Sequence, residues 1–310
     1  MRYVVFGAAG FIGSHLVDRL TADEAPVVAV DLKLPSARNP SAQISWVELD
    51  AANPFDVEHI LEPDDIVFAL TGGAIPDPGK SDPRSQLDQT VGAALTLLEA
   101  CRRRGVRRVL FPSSGGTVYG VPKQLPIDET HPTEPISAYG VQKLTVEKYL
   151  KVYRKLYNLD SVILRIANPF GPRQDPFKGQ GLIAALAYRG LNRLAIEVWG
   201  DGKVIRDYLY IEDLVDAIAR LARYDGDHRI FNVGSGVGVS VLDVIDQLES
   251  ILGRSSLDLR WMPARAFDAP ANVLSISRIS SETGWSPRTS IADGIVRQLD
   301  WLREARLKAP

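Results

Sequence analysis

The amino-acid sequence predicts an α/β fold in which helices cover both faces of a parallel β-sheet. The first half of the 310-residue chain alternates short β-rich runs with helical segments, which is typical of right-handed β–α–β crossovers. The hydrophobic content of 45% is sufficient for a full-sized core. A formal net charge of −2 argues against a nucleic-acid or membrane-surface partner, so we expect a small-molecule ligand.

The predicted strands and helices follow this alternation in order. The first seven segments are RYVVFG, SHLVDRLTA, PVVAVD, VEHILE, DIVFAL, TVGAALTLLEACRRRG and RRVLFPSS. A long helix, YGVQKLTVEKYLKVYRKLYN, then leads to a further strand, SVILRIAN. We interpret residues 1–167 as a first, nucleotide-binding domain.

The amino-acid composition of the chain changes after this strand. From Asn168 the sequence is richer in proline and glycine, and the elements between are shorter. We interpret residues 168–310 as a smaller α/β substrate-binding region, with 203–232 packing back on the first domain.

Cysteine usage and hydropathy limit the compartment. Cys101 is the single cysteine, so an internal disulfide and a metal site built from several cysteines are excluded, and we expect no metal. A lone cysteine also fits a reducing compartment. No apolar run approaches the ~20 residues of a membrane span. We therefore expect a soluble, cytoplasmic protein.

Three glycines, Gly7, Gly10 and Gly13, lie between the first strand and an amphipathic helix. In such a loop the first glycine permits a tight turn, the second lets a pyrophosphate approach the backbone, and the third lets helix and strand pack closely. The start of the helix, which includes Phe11 and Ile12, presents free N–H groups and the positive end of the helix dipole to the phosphates. The pattern predicts a Rossmann-type dinucleotide site, and a glycine-rich turn without a ligand is the alternative.

An acidic residue, Asp31, ends the second strand about twenty positions after the glycine turn. There a carboxylate accepts hydrogen bonds from a ribose diol and repels a 2′-phosphate, which favours NAD over NADP. Lys33 and Arg38 lie just beyond and are either surface charges or contacts for such a phosphate.

Two further strand ends belong to the expected cofactor path. Asp50, followed by Ala51, is placed to meet the adenine amino group, or else to cap the next helix. Leu70, Thr71 and Gly72 follow DIVFA and offer small residues and backbone groups.

A tyrosine and a lysine, Tyr139 and Lys143, are four positions apart at the start of the long predicted helix, so they project from one face. A phenol with a pKa near 10 is a poor base at neutral pH, but an adjacent ammonium and a cationic nicotinamide ring favour the phenolate. Lowering the pKa by ~3 units corresponds to roughly 4 kcal/mol. We expect Tyr139 to act as acid and base, with Lys143 tuning it.

The ordered motifs GAAGFIGSHL, LLEAC, VLFPSSGGTVYG, PISAYGVQK, LRIANPFGP, RDYLYIEDL and FNVGSG resemble the extended short-chain dehydrogenase/reductase family, in its nucleotide-sugar epimerase/dehydratase branch. The resemblance runs from residue 4 to about 290. It implies a bound NAD that removes a hydride from the sugar, usually at C4, while the tyrosine takes the hydroxyl proton. It also implies a homodimer through the helices at 88–104 and 138–157.

The family usually has Ser or Thr three positions before the valine of VYG, where this chain has Gly115. If the segment is extended, Thr117 lies on the same face, because side chains alternate along a strand. Thr117 is therefore the first candidate for the missing hydroxyl and for a substrate contact, and Ser114 is the second. In the alternative, Tyr139 acts with a water.

The residues before the valine also separate the reactions of the family. Dehydratases typically have Asp-Glu there and decarboxylases Glu, whereas this chain has Gly116 and Thr117. The resemblance therefore implies 4-epimerisation of a UDP-sugar, UDP-glucose/UDP-galactose or the 2-acetamido forms, through a transient 4-keto intermediate. The alternatives are another nucleotide-sugar oxidoreductase, such as a 4-ketoreductase or a dehydratase, and a catalytically weak NAD-binding protein.

The resemblance further implies the substrate-binding residues. Asn168 would hold the pyrophosphate or the sugar, and Arg206 with Arg265 would pair with the two phosphates. Asp268 would accept from the nucleotide ribose. Asn272 stands where the family can have a bulky tyrosine, so its smaller side chain would admit a 2-acetamido sugar.

Overall fold

The computed structural model describes residues 1–35, 41–71, 82–178, 181–253, 257–263 and 269–305. Its strands are β1 (Tyr3–Phe6), β2 (Val27–Asp31), β3 (Ile44–Glu48), β4 (Ile66–Ala69), β5 (Arg108–Ser114), β6 (Ser161–Ile166), β7 (Asn168–Phe170), β8 (Ile196–Trp199), β9 (Ile205–Tyr210), β10 (Ile230–Val233), β11 (Gly238–Ser240), β12 (Leu259–Met262) and β13 (Ala271–Asn272). Its helices are α1 (Phe11–Thr21), α2 (Pro54–Ile60), α3 (Pro83–Leu87), α4 (Ala93–Arg104), α5 (Ala138–Tyr157), α6 (Leu182–Leu191), α7 (Ile211–Ala222), α8 (Val241–Leu252), α9 (Ser277–Thr283) and α10 (Ile291–Ala305).

A seven-stranded sheet has the strand order β10-β6-β5-β4-β1-β2-β3. The neighbours β1 and β2, β1 and β4, β2 and β3, and β4 and β5 pair in parallel. Strands β1 and β4 are buried along their whole length, as helices on both faces require. The predicted Rossmann-type sheet is therefore confirmed.

The strand order reverses between β1 and β4, because the chain runs outward to β3 and then returns to the other side of β1. Ligands of open parallel sheets bind outside the carboxyl ends of the strands at such a switch point. The glycine turn follows β1, Asp31 ends β2 and Leu70 follows β4. Topology alone thus brings these candidate residues to one edge of the sheet.

The segment expected to form one helix over 88–104 begins differently. A π-helical turn, Asp88–Gly92, joins α3 to α4. The regular helix ends at Gly105, whose φ of 69° is the left-handed conformation that favours glycine at a helix end.

By its contacts the chain divides into two compact units. The first consists of Met1–Val118, Pro135–Arg165 and Val215–Phe231, and the second of Tyr119–Glu134, Ile166–Leu214 and Asn232–Pro310. In this division, residues 119–134 group with the second unit. Val215–Phe231, which lies within the predicted returning segment 203–232, groups with the first unit.

The second unit contains two smaller sheets. In one, β9 pairs with β11 in antiparallel orientation and with β7 and β13 in parallel. In the other, β8 and β12 pair in parallel. Among the described helices of the chain, none is long and apolar enough to cross a membrane.

Candidate active site

The glycine turn between β1 and α1 is built so tightly that side chains are excluded. A Cβ on Gly13 would lie 2.0 Å from the carbonyl oxygen of Gly7, and a Cβ on Gly7 would lie 2.7 Å from the carbonyl oxygen of Leu70. Gly7 also has a φ of 82°. Gly10 precedes α1 without a side-chain cap, and the first turn of that helix contains no acidic residue. The N–H groups of Gly7, Ala8 and Gly10 bond to backbone carbonyls, so a phosphate would be met by the start of α1 with Phe11 and Ile12, and its binding there stays a prediction.

Asp31, at the end of β2, is joined to this turn by a hydrogen bond. Its Oδ2 accepts from the N–H of Ala9 at 2.9 Å, and its Oδ1 accepts from the N–H of Leu32 at 2.8 Å. The carboxylate is therefore oriented at the edge of the glycine turn, where a ribose diol is expected. Lys33 beyond it is exposed, and Arg38 lies outside the described residues.

Asp50 does not cap α2. That function belongs to Asn53, whose side chain accepts from the N–H groups of Phe55 and Asp56. The carboxylate of Asp50 instead accepts from the N–H of Ala52 at 2.9 Å, and the residue is exposed beside half-buried Ala51. The helix-cap alternative is thus wrong, and the adenine contact stays a prediction.

The end of β4 reaches the glycine turn through its backbone. Leu70 donates its N–H to the carbonyl of Phe6 at 3.0 Å, and its own carbonyl lies against Gly7. Leu70 and Thr71 are half-buried, and Gly72 lies outside the described residues.

Tyr139 and Lys143 lie in the first turns of α5, where Ser137 caps the helix by accepting from the N–H of Gly140. Lys143 is 3% exposed, and its Nζ donates to the carbonyl of Pro112 at 2.9 Å. The same Nζ lies 5.6 Å from the ring centre of Tyr139 and 4.9 Å from that of Phe111. The structure therefore brings the predicted pair together.

The electrostatics of this pair differ from the expectation. Burial raises the pKa of Tyr139 to about 12 and lowers the pKa of Lys143 to about 8. The ammonium points its proton at a backbone carbonyl, so in the protein alone desolvation outweighs the attraction between phenolate and ammonium. The predicted lowering of the tyrosine pKa is thus not a property of these two side chains by themselves.

The segment after β5 is a turn and not an extended strand. The N–H groups of Thr117 and Val118 both donate to the carbonyl of Ser114, at 3.3 and 3.0 Å. The argument that Thr117 shares a face with position 115 because side chains alternate is therefore wrong, since two adjacent glycines allow the chain to coil here. In a helical turn, residues three apart are neighbours, which places Ser114 and Thr117 on one side.

The hydroxyl of Thr117 is buried and has no hydrogen-bond partner among the described residues. An unsatisfied buried hydroxyl costs about 1–3 kcal/mol, so a water or a ligand that accepts or donates a hydrogen bond there would be favourable. The turn also lies close to the start of α5, because a Cβ on Gly140 would be 2.9 Å from the Thr117 carbonyl oxygen. Ser114 is half-buried at the end of β5.

In the second unit, Asn168 and Arg206 are held by backbone carbonyls. The amide of Asn168 donates to the carbonyl of Asp207 at 2.9 Å. The Nη1 of Arg206 donates to the carbonyls of Ile205 and Ala269 at 2.9 and 2.7 Å, which orients the guanidinium.

Asn272 is buried on β13, where it pairs in register with Arg206 of β9. Arg265 and Asp268 lie outside the described residues. Their expected contacts with phosphate and ribose therefore stay predictions.

Two buried carboxylates were not among the expected site residues. Asp207 accepts from the N–H groups of Ser235, Gly236 and Leu274 and thereby fixes the GSG loop, although burial raises its pKa. Glu147 lies one turn beyond Lys143 on α5. Each stands directly beside a basic residue in the sequence, Arg206 and Lys148, so the linear pattern gave no signal for its burial. Among the described residues, no group of three or more His, Cys, Asp or Glu side chains is arranged to hold a metal ion.

The whole chain is similar to known proteins. The model of the NAD dependent epimerase/dehydratase family matches residues 3–234. The UDP-glucose 4-epimerase of Mycolicibacterium smegmatis is 35% identical over 98% of this chain and 99% of its own length. The structure of the UDP-glucose 4-epimerase from Thermotoga maritima with UDP-glucose has a TM-score of 0.90 at 32% identity, over 99% of this chain and 100% of its own. The Thermus thermophilus enzyme with NAD has a TM-score of 0.89 at 33% identity, over 98% and 100%.

Proposed function

Because the chain belongs to the NAD-dependent epimerase/dehydratase family, we propose that it catalyses the 4-epimerisation of a UDP-sugar. The observation that supports this choice within the family is the turn at 113–119, SSGGTVY. It combines a buried Thr117 hydroxyl, which has no hydrogen-bond partner among the described residues, with a sequence that contains no carboxylate. Elimination and decarboxylation need such a further acid or base, whereas epimerisation needs one base and a reversible hydride carrier.

The cofactor is NAD, which when bound would take a hydride from the sugar carbon and return it to the opposite face. The residues of the first unit fit it, since an added Cβ at Gly7 or Gly13 would fill the glycine turn. The glycine turn and the start of α1 would hold the pyrophosphate, and Asp31 the ribose diol. Asp50, Ala51, Leu70 and Thr71 would line the rest of the dinucleotide.

Tyr139 would take the proton of the sugar C4 hydroxyl and give it back after the sugar has turned. With a pKa of about 8, Lys143 is protonated at neutral pH, and its ammonium would offset the negative charge that develops on the phenol. The Thr117 hydroxyl would share the hydrogen bonds of the reacting oxygen, with Ser114 as the second candidate.

The UDP part would be bound by the second unit. The backbone carbonyls that hold Arg206 orient it for a bidentate contact with a phosphate, which Arg265 would complete. Asn168 and Asp268 would contact the sugar or pyrophosphate and the ribose. The small side chain of Asn272 favours admission of a 2-acetamido group, so both the N-acetylated and the plain UDP-hexoses are candidate substrates.

We also propose a homodimer that acts in the cytoplasm. Val141, Tyr149, Val152 and Leu156 form an exposed apolar stripe along α5, which association through residues 88–104 and 138–157 would cover. The reduced, buried thiol of Cys101 suits a reducing compartment. Sedimentation of the wild type and of a Leu156→Asp variant tests the dimer: the wild type should sediment as a dimer and the variant as a monomer. A monomeric wild type would contradict the proposal.

The decisive experiment incubates the purified protein with UDP-glucose, UDP-galactose and their N-acetyl and glucuronic counterparts without added cofactor. A product of equal mass that separates by chromatography is the expected result, and Tyr139→Phe should abolish it. Loss of water or carbon dioxide would indicate a dehydratase or decarboxylase, and a requirement for added reduced nucleotide would indicate a ketoreductase. A protein that binds NAD but converts none of these sugars would be the catalytically weak alternative.

A further inference from the structure

The GSG loop, Gly234–Gly236, encloses a carboxylate of the protein itself. Asp207 of β9 is 0% exposed. Its Oδ1 accepts from the N–H and the hydroxyl of Ser235 at 2.7 and 2.6 Å, and its Oδ2 accepts from the N–H of Gly236 at 3.2 Å. A Cβ on Gly234 would lie 2.4 Å from Oδ2. Successive N–H groups of such a loop can form an anion site, and here the anion is Asp207.

A fourth donor reaches the same carboxylate from another part of the chain. The N–H of Leu274, two positions after Asn272, donates to Oδ2 of Asp207 at 3.2 Å, and Leu274 is 0% exposed. The carboxylate stabilises the segments that supply these donors, because a buried N–H without an acceptor is costly. Asp207 therefore joins β9 to the GSG loop and to the segment that follows β13.

Strand β13 has only two residues, so few backbone bonds hold it to its neighbour. It pairs in parallel with β9, with Asn272 opposite Arg206. Before the strand, Nη1 of Arg206 donates to the carbonyl of Ala269 at 2.7 Å. After the strand, Oδ2 of Asp207 accepts from the N–H of Leu274. The side chains of two consecutive residues of β9 thus hold the two ends of β13.

Three residues expected to bind the UDP-sugar adjoin this anchor. Arg206 directly precedes Asp207, and Asn272 lies on β13. The amide of Asn168 donates to the backbone carbonyl of Asp207 at 2.9 Å. The position of Asn272 relative to Arg206 therefore depends on the attachment of β13 to β9.

A second attachment keeps the segment after β13 in the unit when the Asp207 contact is lost. Ile127 donates its N–H to the carbonyl of Val273 at 2.8 Å and accepts from the N–H of Ser275 at 2.7 Å. Removal of the Asp207 carboxylate should therefore loosen β13 against β9 without detaching it.

We propose that Asp207 is a positioning residue of the UDP-sugar site: it anchors the GSG loop and Leu274 to β9 and so fixes Asn272 relative to Arg206. The inference rests on the proposed function for the identity of the ligand. Its physical content, the anchoring of β13 by a carboxylate, can be measured without turnover.

Two different substitutions should disturb this anchor. Asp207→Ala removes the acceptor of all four donors, whereas Gly234→Ala keeps the carboxylate but displaces Oδ2, the oxygen that Leu274 uses. The KM for UDP-glucose or UDP-N-acetylglucosamine, whichever the wild type converts, should rise about tenfold in both variants, while kcat stays within about twofold. The affinity for NAD should not change, because the glycine turn belongs to the first unit.

Two control variants separate positioning from a general loss of stability. Asp213→Ala removes another buried carboxylate of the same unit, one that accepts from the N–H of Thr289 at 2.9 Å. It should lower Tm as Asp207→Ala does, but KM should stay within about twofold of the wild type. Ser235→Ala removes the hydroxyl donor and keeps the Leu274 bond, so its KM should also be unchanged.

Amide exchange of Leu274 measures the anchor directly, by NMR on protein with ¹⁵N-labelled leucine, and Leu274→Ile identifies the signal. Exchange should be at least about tenfold faster in Asp207→Ala and Gly234→Ala than in Asp213→Ala. Where Asp207→Ala does not fold, Gly234→Ala decides.

Unchanged exchange of Leu274 in the folded anchor variants would overturn the inference. Faster exchange with an unchanged KM, or an equal rise in KM in Asp213→Ala, would do the same. Wild-type protein that converts no UDP-sugar would refute the proposed function, while the exchange of Leu274 would still decide whether Asp207 anchors β13.

Discussion

Replacing Lys143 with methionine is expected to stabilise the protein while it abolishes turnover. The lysine is 3% exposed, and burial lowers its pKa from 10.5 to about 8. At neutral pH it is nevertheless charged, so the folded state bears the cost of a desolvated ammonium. Methionine is an unbranched side chain that fills the same space without the charge.

The size of the effect follows from the pKa. A lowering of about 2.5 pH units, at about 1.4 kcal/mol each, corresponds to roughly 3 kcal/mol of destabilisation below pH 8. The variant also loses the hydrogen bond to the Pro112 carbonyl, which reduces the gain in stability by about 1 kcal/mol. It loses the contact of the ammonium with the Phe111 ring, which reduces the gain by about as much. We expect a net gain of about 1–2 kcal/mol at pH 7.

The dependence on pH distinguishes this cause from better packing. Between about pH 8 and 10.5 the unfolded chain holds the lysine proton and the folded protein does not, so wild-type stability rises with pH and the advantage of the variant shrinks. Urea unfolding of nucleotide-free wild type and variant at pH 7 and pH 9.5 measures how their difference in stability changes with pH. Tyr139, with a pKa of about 12, is protonated at both pH values and does not contribute to this change. Exposed Lys148→Met on the same helix is the control. A variant less stable than wild type at pH 7, or an advantage that does not change with pH, would refute the reasoning.

Three further substitutions test the candidate site. Thr117→Val removes a buried hydroxyl that has no partner among the described residues, so urea unfolding should show about 1 kcal/mol of added stability. The kcat of this variant should fall about 100-fold, whereas Thr117→Ser should retain activity. Full activity in Thr117→Val would shift the role to Ser114 or a water. Gly13→Ala places a Cβ 2.0 Å from the Gly7 carbonyl oxygen, so the free energy of unfolding should fall by several kcal/mol, as measured by thermal unfolding. A folded variant with an unchanged Tm would contradict the close packing. Asp31→Ala removes the acceptor for the Ala9 N–H and should weaken NAD binding about tenfold by calorimetry, which unaltered affinity would disprove.

Most of the sheet and the tight glycine turn could be predicted because their signals are local. The β–α alternation determines the crossovers, and the spacing of Gly7, Gly10 and Gly13 has one geometric solution between a strand and a helix. The grouping of Tyr119–Glu134 with the second unit could not be predicted, because it depends on contacts between residues far apart in the chain.

At the site, local backbone conformation and burial decide what single residue types do not. Strand alternation misplaces Thr117, because the preceding Gly115 and Gly116 favour a turn. For the pKa of Tyr139, the burial of Tyr139 and Lys143 acts in the opposite direction to the charges, and this burial depends on the packing of α5, which a residue pattern does not show. The pairing of Glu147 with Arg165 joins elements that a linear pattern does not connect.

The coiling of residues 114–118 has a consequence for how such chains diverge. Within one helical turn, residues three positions apart lie on the same side of the backbone and residues two apart do not, so Ser114 and Thr117 can present a hydroxyl to one site although neither stands at position 115. Evolution can therefore exchange the hydroxyl donor between neighbouring positions by two ordinary substitutions, without rebuilding the scaffold. A glycine at an aligned column then signals relocation as readily as loss, and families with such turns should be compared by where their hydroxyls lie in space.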